Sequence, residues 1–90
     1  MLIPDPNREP LVAVVGNRYH AVNSWRDVSI AYRRTIEALD LGSSRAPGCE
    51  ILDSFGTVVA HVSYNGRVWL GPRRDWTPDT QRLYEPLPPL

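Results

Sequence analysis

Three short glycine-containing turns divide much of this chain into apolar segments of four to eight residues. The turns are Gly16-Asn17, Ser54-Phe55-Gly56 and Asn65-Gly66, and each fits a hairpin loop of two or three residues. Glycine suits such loops because they need a positive φ that other residues rarely adopt. The turns therefore predict five antiparallel strands, at residues 11–15, 18–22, 49–53, 57–64 and 67–70.

One amphipathic helix is predicted between the first hairpin and the rest of the strands. Ser24 is a good N-cap, Asp27 suits the positive end of the helix dipole, and Gly42 is a candidate for the residue after the C-cap. The helix is expected from about Ser24 to Leu41. Its apolar side chains recur every three or four residues, at Trp25, Val28, Tyr32, Ile36 and Leu39.

The two ends of the chain are rich in proline. Residues 1–10 are predicted to form an extended arm, and Thr77-Pro78 predicts a short helix from Pro78 to about Tyr84. Pro86, Pro88 and Pro89 then favour an extended, polyproline-like tail. The predicted fold is α+β, in the order ββ-α-βββ, with one long helix packed on an antiparallel sheet, a short C-terminal helix and a Pro-rich tail. All 90 residues are assigned to one domain: an arm at 1–10, a core at 11–70 and a C-terminal strap at 71–90.

Composition excludes several classes of protein. Ten arginines balance ten acidic residues, so the net charge is zero, which argues against a tight duplex-DNA binder. No apolar run approaches the roughly 18 residues of a membrane span, and the first ten residues do not resemble a signal peptide, so we expect no membrane partner. Cys49 is the only cysteine, so no internal disulfide can form and a cytoplasmic location is expected.

The two later hairpins predict which side chains share a face of the sheet. A two-residue loop at Asn65-Gly66 would pair Val62 with Trp69, and the loop at 54–56 would pair Cys49 with His61. One face, expected under the helix, would carry Leu52, Val58, Ala60, Val62, Tyr64 and Trp69. The other face would carry Cys49, Ile51, Val59, His61, Ser63, Val68 and Leu70. This second face is too apolar for a solvated surface, so we expect the C-terminal segment, a second copy of the chain or a different protein to cover it.

Cys49 opposite His61 is the one predicted pair that resembles a catalytic site, because an imidazole can stabilise a thiolate. The simpler interpretation is that both residues pack in the core. No metal site, no nucleotide-binding glycine loop and no cofactor is predicted, and we interpret the chain as a protein without enzymatic activity.

Arginine and tryptophan alternate between Arg67 and Trp76, and this mixture is typical of protein-binding hot spots. The function favoured by the sequence is a small protein-interaction module, an accessory or inhibitor protein that docks on a larger protein. Every basic residue other than histidine is arginine, which indicates a GC-rich coding sequence because most arginine codons are GC-rich. We therefore expect a bacterial or phage origin. The alternatives are a single-stranded nucleic-acid binder and, third, a Cys–His enzyme. Homodimerisation through strands 49–53, 57–64 and 67–70 is a further prediction. The candidate protein-binding residues are Val59, His61, Arg67, Val68, Leu70, Arg73, Arg74 and Trp76.

Overall fold

The computed structural model describes residues 3–40, 42 and 45–86, which form a six-stranded sheet and one long α-helix. All neighbouring strands are antiparallel, in the spatial order β2-β1-β3-β4-β5-β6, so the predicted α+β class is confirmed. The elements along the chain are β1 (Val12–Val15), β2 (Arg18–Ala21), α1 (Trp25–Ala38), β3 (Cys49–Leu52), β4 (Val58–Val62), β5 (Val68–Leu70), a 3-10 turn (Arg73–Asp75) and β6 (Arg82–Tyr84).

The helix α1 begins where the sequence predicts. The Ser24 hydroxyl accepts a hydrogen bond of 3.0 Å from the backbone N–H of Asp27. The helix ends earlier than predicted, at Ala38, and Asp40 adopts the left-handed conformation with φ 53° that we expected of Gly42. The predicted last residue, Leu41, lies outside the described residues.

The predicted C-terminal helix from Pro78 to Tyr84 is wrong. Thr77 does begin a turn, because its carbonyl accepts a hydrogen bond from the Thr80 N–H at 3.0 Å, but the chain then extends as β6. This strand pairs with β5. Without β6, the backbone N–H and C=O groups on the outer edge of β5 would lack hydrogen-bond partners. Strand pairing therefore takes precedence over the local helix signal, and the observed order is ββ-α-ββββ. The predicted extended tail falls largely on residues 87–90, outside the described residues.

The hairpin at Asn65-Gly66 has a different register from the one predicted. The Ser63 N–H donates to the Arg67 carbonyl, and the Gly66 N–H donates to the Ser63 carbonyl, both at 2.8 Å. The loop therefore contains three residues rather than two, with Gly66 at φ 92°. This one-residue slip pairs His61 with Trp69 and Val62 with Val68.

A β-bulge also makes the observed pairing of β3 with β4 differ from the predicted pairing. The three-residue loop at 54–56 is confirmed by a 3.0 Å hydrogen bond from the Asp53 N–H to the Thr57 carbonyl. The pairing then shifts by one residue between Ile51 and Leu52. Cys49 consequently pairs with Val62 instead of His61.

The core lies between α1 and one face of the sheet, called here the inner face. The predicted division of side chains between the two faces is partly wrong, because the loop at Gly66 and the bulge each change the register. Leu52, Val58 and Trp69 move to the opposite, outer face, while Cys49, Ile51 and Val68 move to the inner face. The buried sheet residues of the core are Ala13, Val15, Cys49, Ile51, Ala60, Val62 and Val68, and α1 contributes Val28, Tyr32 and Ile36.

Candidate binding surface

The outer face presents two rows of side chains, because paired residues of neighbouring strands point to the same side of a sheet. The longer row crosses all six strands, and the shorter row spans β2 to β4. Their members are Tyr19, Val14, Glu50, His61, Trp69 and Arg82 in the first, and Ala21, Val12, Leu52 and Val58 in the second.

The segment after β5 folds back over one half of this outer face. The Gly71 carbonyl lies 2.8 Å from Nδ1 of His61, and Trp76 contacts Trp69 edge to face with ring centroids 5.6 Å apart. His61 and Trp69 are therefore buried although they lie on the face away from the helix. Of the three covers proposed for an apolar second face, the chain itself supplies one over β4 and β5.

Arginine and glutamate side chains fix β6 at this edge of the sheet. The Arg82 guanidinium lies over the Trp69 ring, 5.0 Å from its centroid. Glu85 accepts hydrogen bonds from Arg82 at 2.7 Å and from Arg67 at 2.8 Å. The Arg67 hydrogen bond and the two positive charges lower the pKa of the Glu85 carboxyl. Arg67, at the start of the Arg/Trp stretch between Arg67 and Trp76, and Arg82, beyond that stretch, are thus both paired with the Glu85 carboxylate.

The other half of the outer face, over β1 and β3, is not covered by any described segment. Apolar side chains, two arginines and Glu50 line a groove there of about 940 Å³, which we call the outer groove. Tyr19 forms one wall and is 72% exposed. Neither Arg73 nor Arg74 forms an ion pair with the described residues. The residues that define the outer groove are Val14, Tyr19, Glu50, Leu52, Val58, Arg73 and Arg74.

A smaller cavity of about 330 Å³ lies beside the covered half of the outer face. We call it the tryptophan cavity. Arg73 lies in the wall that it shares with the outer groove. The residues that line the tryptophan cavity are Tyr32, Ala46, His61, Val62, Ser63, Tyr64, Asn65, Arg67, Trp69, Arg73 and Trp76.

Cys49 and His61 do not form the predicted pair. Cys49 faces the helix and is 1% exposed, whereas His61 lies on the outer face and contacts Gly71. Burial, and to a smaller degree the nearby Glu50 carboxylate, raise the pKa of the Cys49 thiol to about 12. A thiol with that pKa stays protonated near neutral pH, so the arrangement does not supply a thiolate nucleophile.

The structure separates the eight predicted binding residues into three groups. Arg73, Arg74 and Trp76 are exposed, and Arg67 is half-buried against Glu85. His61 and Val68 are buried and cannot contact a docked protein in this conformation. Val59 and Leu70 are half-buried, with Val59 packed against the core and Leu70 on the helix side of the sheet.

The sequence pattern does not indicate the open part of the outer face. Val14 and Leu52 belong to alternating strands, and their exposure depends on which half of the outer face the segment after β5 covers. Alternation in β1 does indicate that Val14 and Val12 share a face. It does not indicate that this face lacks a cover, so the outer groove could not be located from the pattern alone.

Comparison with known proteins found no relative of this chain: no protein-family model, no curated protein and no solved structure matches it. Among the described residues, no helix has the length and apolar character needed to cross a membrane. No three histidine, cysteine, aspartate or glutamate side chains of the described residues come together as metal ligands would.

Proposed function

We propose that this protein is a small, non-enzymatic interaction module that docks on a larger protein through the outer groove. The observation that carries the proposal is the open half of the outer face, where apolar side chains lie beside two arginines that have no carboxylate partner among the described residues. Aromatic and arginine side chains around a desolvated centre are typical of protein–protein hot spots. The partner would present an apolar segment with nearby carboxylates, which complements Arg73 and Arg74.

The proposal includes a cytoplasmic setting and a bacterial or phage origin, with a role as an accessory or inhibitor protein. The single buried thiol supports the cytoplasmic setting, and the absence of lysine supports the bacterial or phage origin. A second copy of the chain is the alternative occupant of the groove.

Single-stranded nucleic acid binding has less support. Arg82 lies against Trp69, and this residue is 8% exposed, so its ring offers little surface for a base to stack on. Glu85 also pairs with Arg67 and Arg82 and offsets one of their two positive charges. The surface is therefore poorer in available cations and rings than the Arg/Trp sequence suggests.

Affinity capture from a lysate of the source cells tests the proposal when wild type is compared with two charge reversals. Arg74→Glu changes the outer groove, and Arg34→Glu makes the same change on an exposed position of α1. We expect one protein to be captured by wild type and Arg34→Glu, to be lost with Arg74→Glu, and to resist nuclease treatment. Equal capture by both variants, or loss of all capture after nuclease treatment, would contradict the proposal.

A further inference from the structure

We infer that the tryptophan cavity binds a small aromatic carboxylate, a second function beyond docking, although Arg73 lines both the cavity and the outer groove. The cavity has a volume of about 330 Å³, which is near the lower end of the range of roughly 300–1,000 Å³ for small-molecule sites. Its walls come from α1, β4, β5 and the segment after β5, so residues far apart in the sequence converge on it.

The charge of the cavity favours an anion. Arg67 and Arg73 line it, and no aspartate or glutamate of the described chain does so. Glu85 compensates Arg67 from outside the lining, whereas Arg73 has no ion pair among the described residues. The Arg73 guanidinium can therefore bind both oxygens of a carboxylate without first losing a protein partner.

His61 provides a second polar contact within the cavity. Its side chain is 97% buried, and Nδ1 lies 2.8 Å from the Gly71 carbonyl, so Nδ1 carries a proton and donates it. Nδ1 is engaged by Gly71, so Nε2 is the ring nitrogen left for a ligand, and His61 lines the cavity. A carboxylate oxygen accepts a hydrogen bond from Nε2 only when that nitrogen carries a proton.

Aromatic rings supply the remaining walls and favour a planar ligand. Tyr32, Tyr64, Trp69 and Trp76 all line the cavity. Trp76 is 45% exposed and lies at right angles to Trp69, with an interplanar angle of 82°. A flat ring can therefore pack against Trp76, the more exposed of the two indoles, while its carboxylate binds Arg73 and His61.

Three probes separate the contributions of charge and ring. Benzoate has both, benzamide has the ring without the charge, and acetate has the charge without the ring. Titration of the ¹⁵N-labelled protein is followed through the indole N–H signals of Trp69 and Trp76. We expect benzoate to shift these signals to saturation, with affinity at least about tenfold higher than that of benzamide or acetate. Equal responses to benzoate and benzamide, or no response to benzoate, would overturn the inference.

Two neighbouring arginines provide a matched pair of variants. Arg73→Gln removes the charge that lines the tryptophan cavity, and Arg74→Gln removes a charge from the same exposed turn that lines the outer groove alone. We expect Arg73→Gln to lose benzoate binding and Arg74→Gln to keep it. Retention of binding by Arg73→Gln would refute this assignment of the site.

A third variant tests the imidazole. In His61→Asn, the amide N–H can replace Nδ1 in the hydrogen bond to Gly71, but nothing replaces Nε2. We expect benzoate affinity to fall severalfold in a protein whose other signals keep their positions, and unchanged affinity would exclude Nε2 from the site. Absence of benzoate binding would leave the docking proposal intact, because that proposal is tested by protein capture.

Discussion

The buried Ser29 hydroxyl of α1 donates a 2.6 Å hydrogen bond to the carbonyl of Gly66, in the loop between β4 and β5. Ser29 is 2% exposed, so this bond forms away from water and fixes the helix against one hairpin. The neighbouring Arg33 donates to the Tyr64 carbonyl of the same loop at 2.6 Å. The position of α1 on the sheet is therefore set by polar contacts with this loop as well as by apolar packing.

Ser29→Ala should destabilise the protein by about 2 kcal/mol, because it leaves a buried carbonyl without its donor. Thr35→Ala is the control: its hydroxyl donates to the Ala31 carbonyl, one turn earlier in the exposed part of the same helix. We expect its effect to stay within about 0.5 kcal/mol. Urea unfolding measures the free energy of unfolding of both variants. Equal losses would show that the buried Ser29 hydrogen bond stabilises the protein no more than the exposed Thr35 hydrogen bond.

Gly66→Ala should be more damaging than Gly56→Ala, although both glycines have positive φ, 92° and 82°. A Cβ at position 66 would meet the Ser29 Oγ at 2.9 Å, whereas nothing lies within 4 Å of a Cβ at position 56. Backbone strain alone should cost about 1 kcal/mol in Gly56→Ala. Gly66→Ala should cost about 2–3 kcal/mol, because it also displaces Ser29. Thermal unfolding of the two variants provides the comparison, and indistinguishable melting temperatures would contradict this account.

Stability should fall as the pH rises above about 9, the ordinary pKa of a thiol, because burial raises the pKa of Cys49 to about 12 in the folded state. Between those two values the unfolded chain releases a proton that the folded chain keeps, which favours unfolding. Burial also raises the pKa of Tyr32, so its phenol acts in the same direction at still higher pH.

Cys49→Ala separates the effect of the Cys49 thiol on stability from that of the Tyr32 phenol. Its unfolding free energy should depend less on pH between 9 and 10 than that of wild type, with a difference in slope of up to about 1.4 kcal/mol per pH unit. Wild type should also react with a thiol reagent only after unfolding. Rapid modification of the native protein at pH 8 would refute the burial argument.

Glu85→Gln provides a test of the nucleic-acid alternative. The change leaves Arg67 and Arg82 without their carboxylate partner and raises the net charge of this cluster by one. We expect a fluorescent oligo-dT to bind wild type weakly and the variant several times more strongly, with steep salt dependence. Fluorescence anisotropy at two salt concentrations measures this. Tight binding by wild type that does not change in the variant would favour the nucleic-acid function over docking.

The sequence predicts those elements whose signals are local. The Ser24 cap, the three-residue loop at 54–56 and the two-residue loop at Gly16 all depend on residues that are neighbours in the chain, and all are confirmed. The prediction for the loop at Asn65-Gly66 is wrong because its conformation includes contacts with α1, more than thirty residues earlier in the chain. The prediction for β6 is wrong for a similar reason, since its partner β5 is distant in sequence from Thr77-Pro78.

The candidate site shows the same distinction. The residue types near Arg73 and Trp76 did indicate an exposed surface, because arginine and tryptophan are common in interfaces. The position of the surface depends on the bulge at Ile51 and Leu52 and on the fold-back that buries His61. The bulge turns Leu52 outward, and the three-residue loop at Gly66 turns Val68 inward. Neither the bulge nor the fold-back has a clear local signal in the sequence.

Photo-crosslinking from position 19 tests most directly whether the outer groove docks another protein. Replacing Tyr19 with p-benzoylphenylalanine puts the reactive group in the groove wall, and the same replacement of Phe55, 91% exposed at a hairpin tip, provides the control. We expect one adduct with a different protein from position 19 and none from position 55. The same adduct from both positions, or an adduct with a second copy of this chain alone, would contradict the docking proposal.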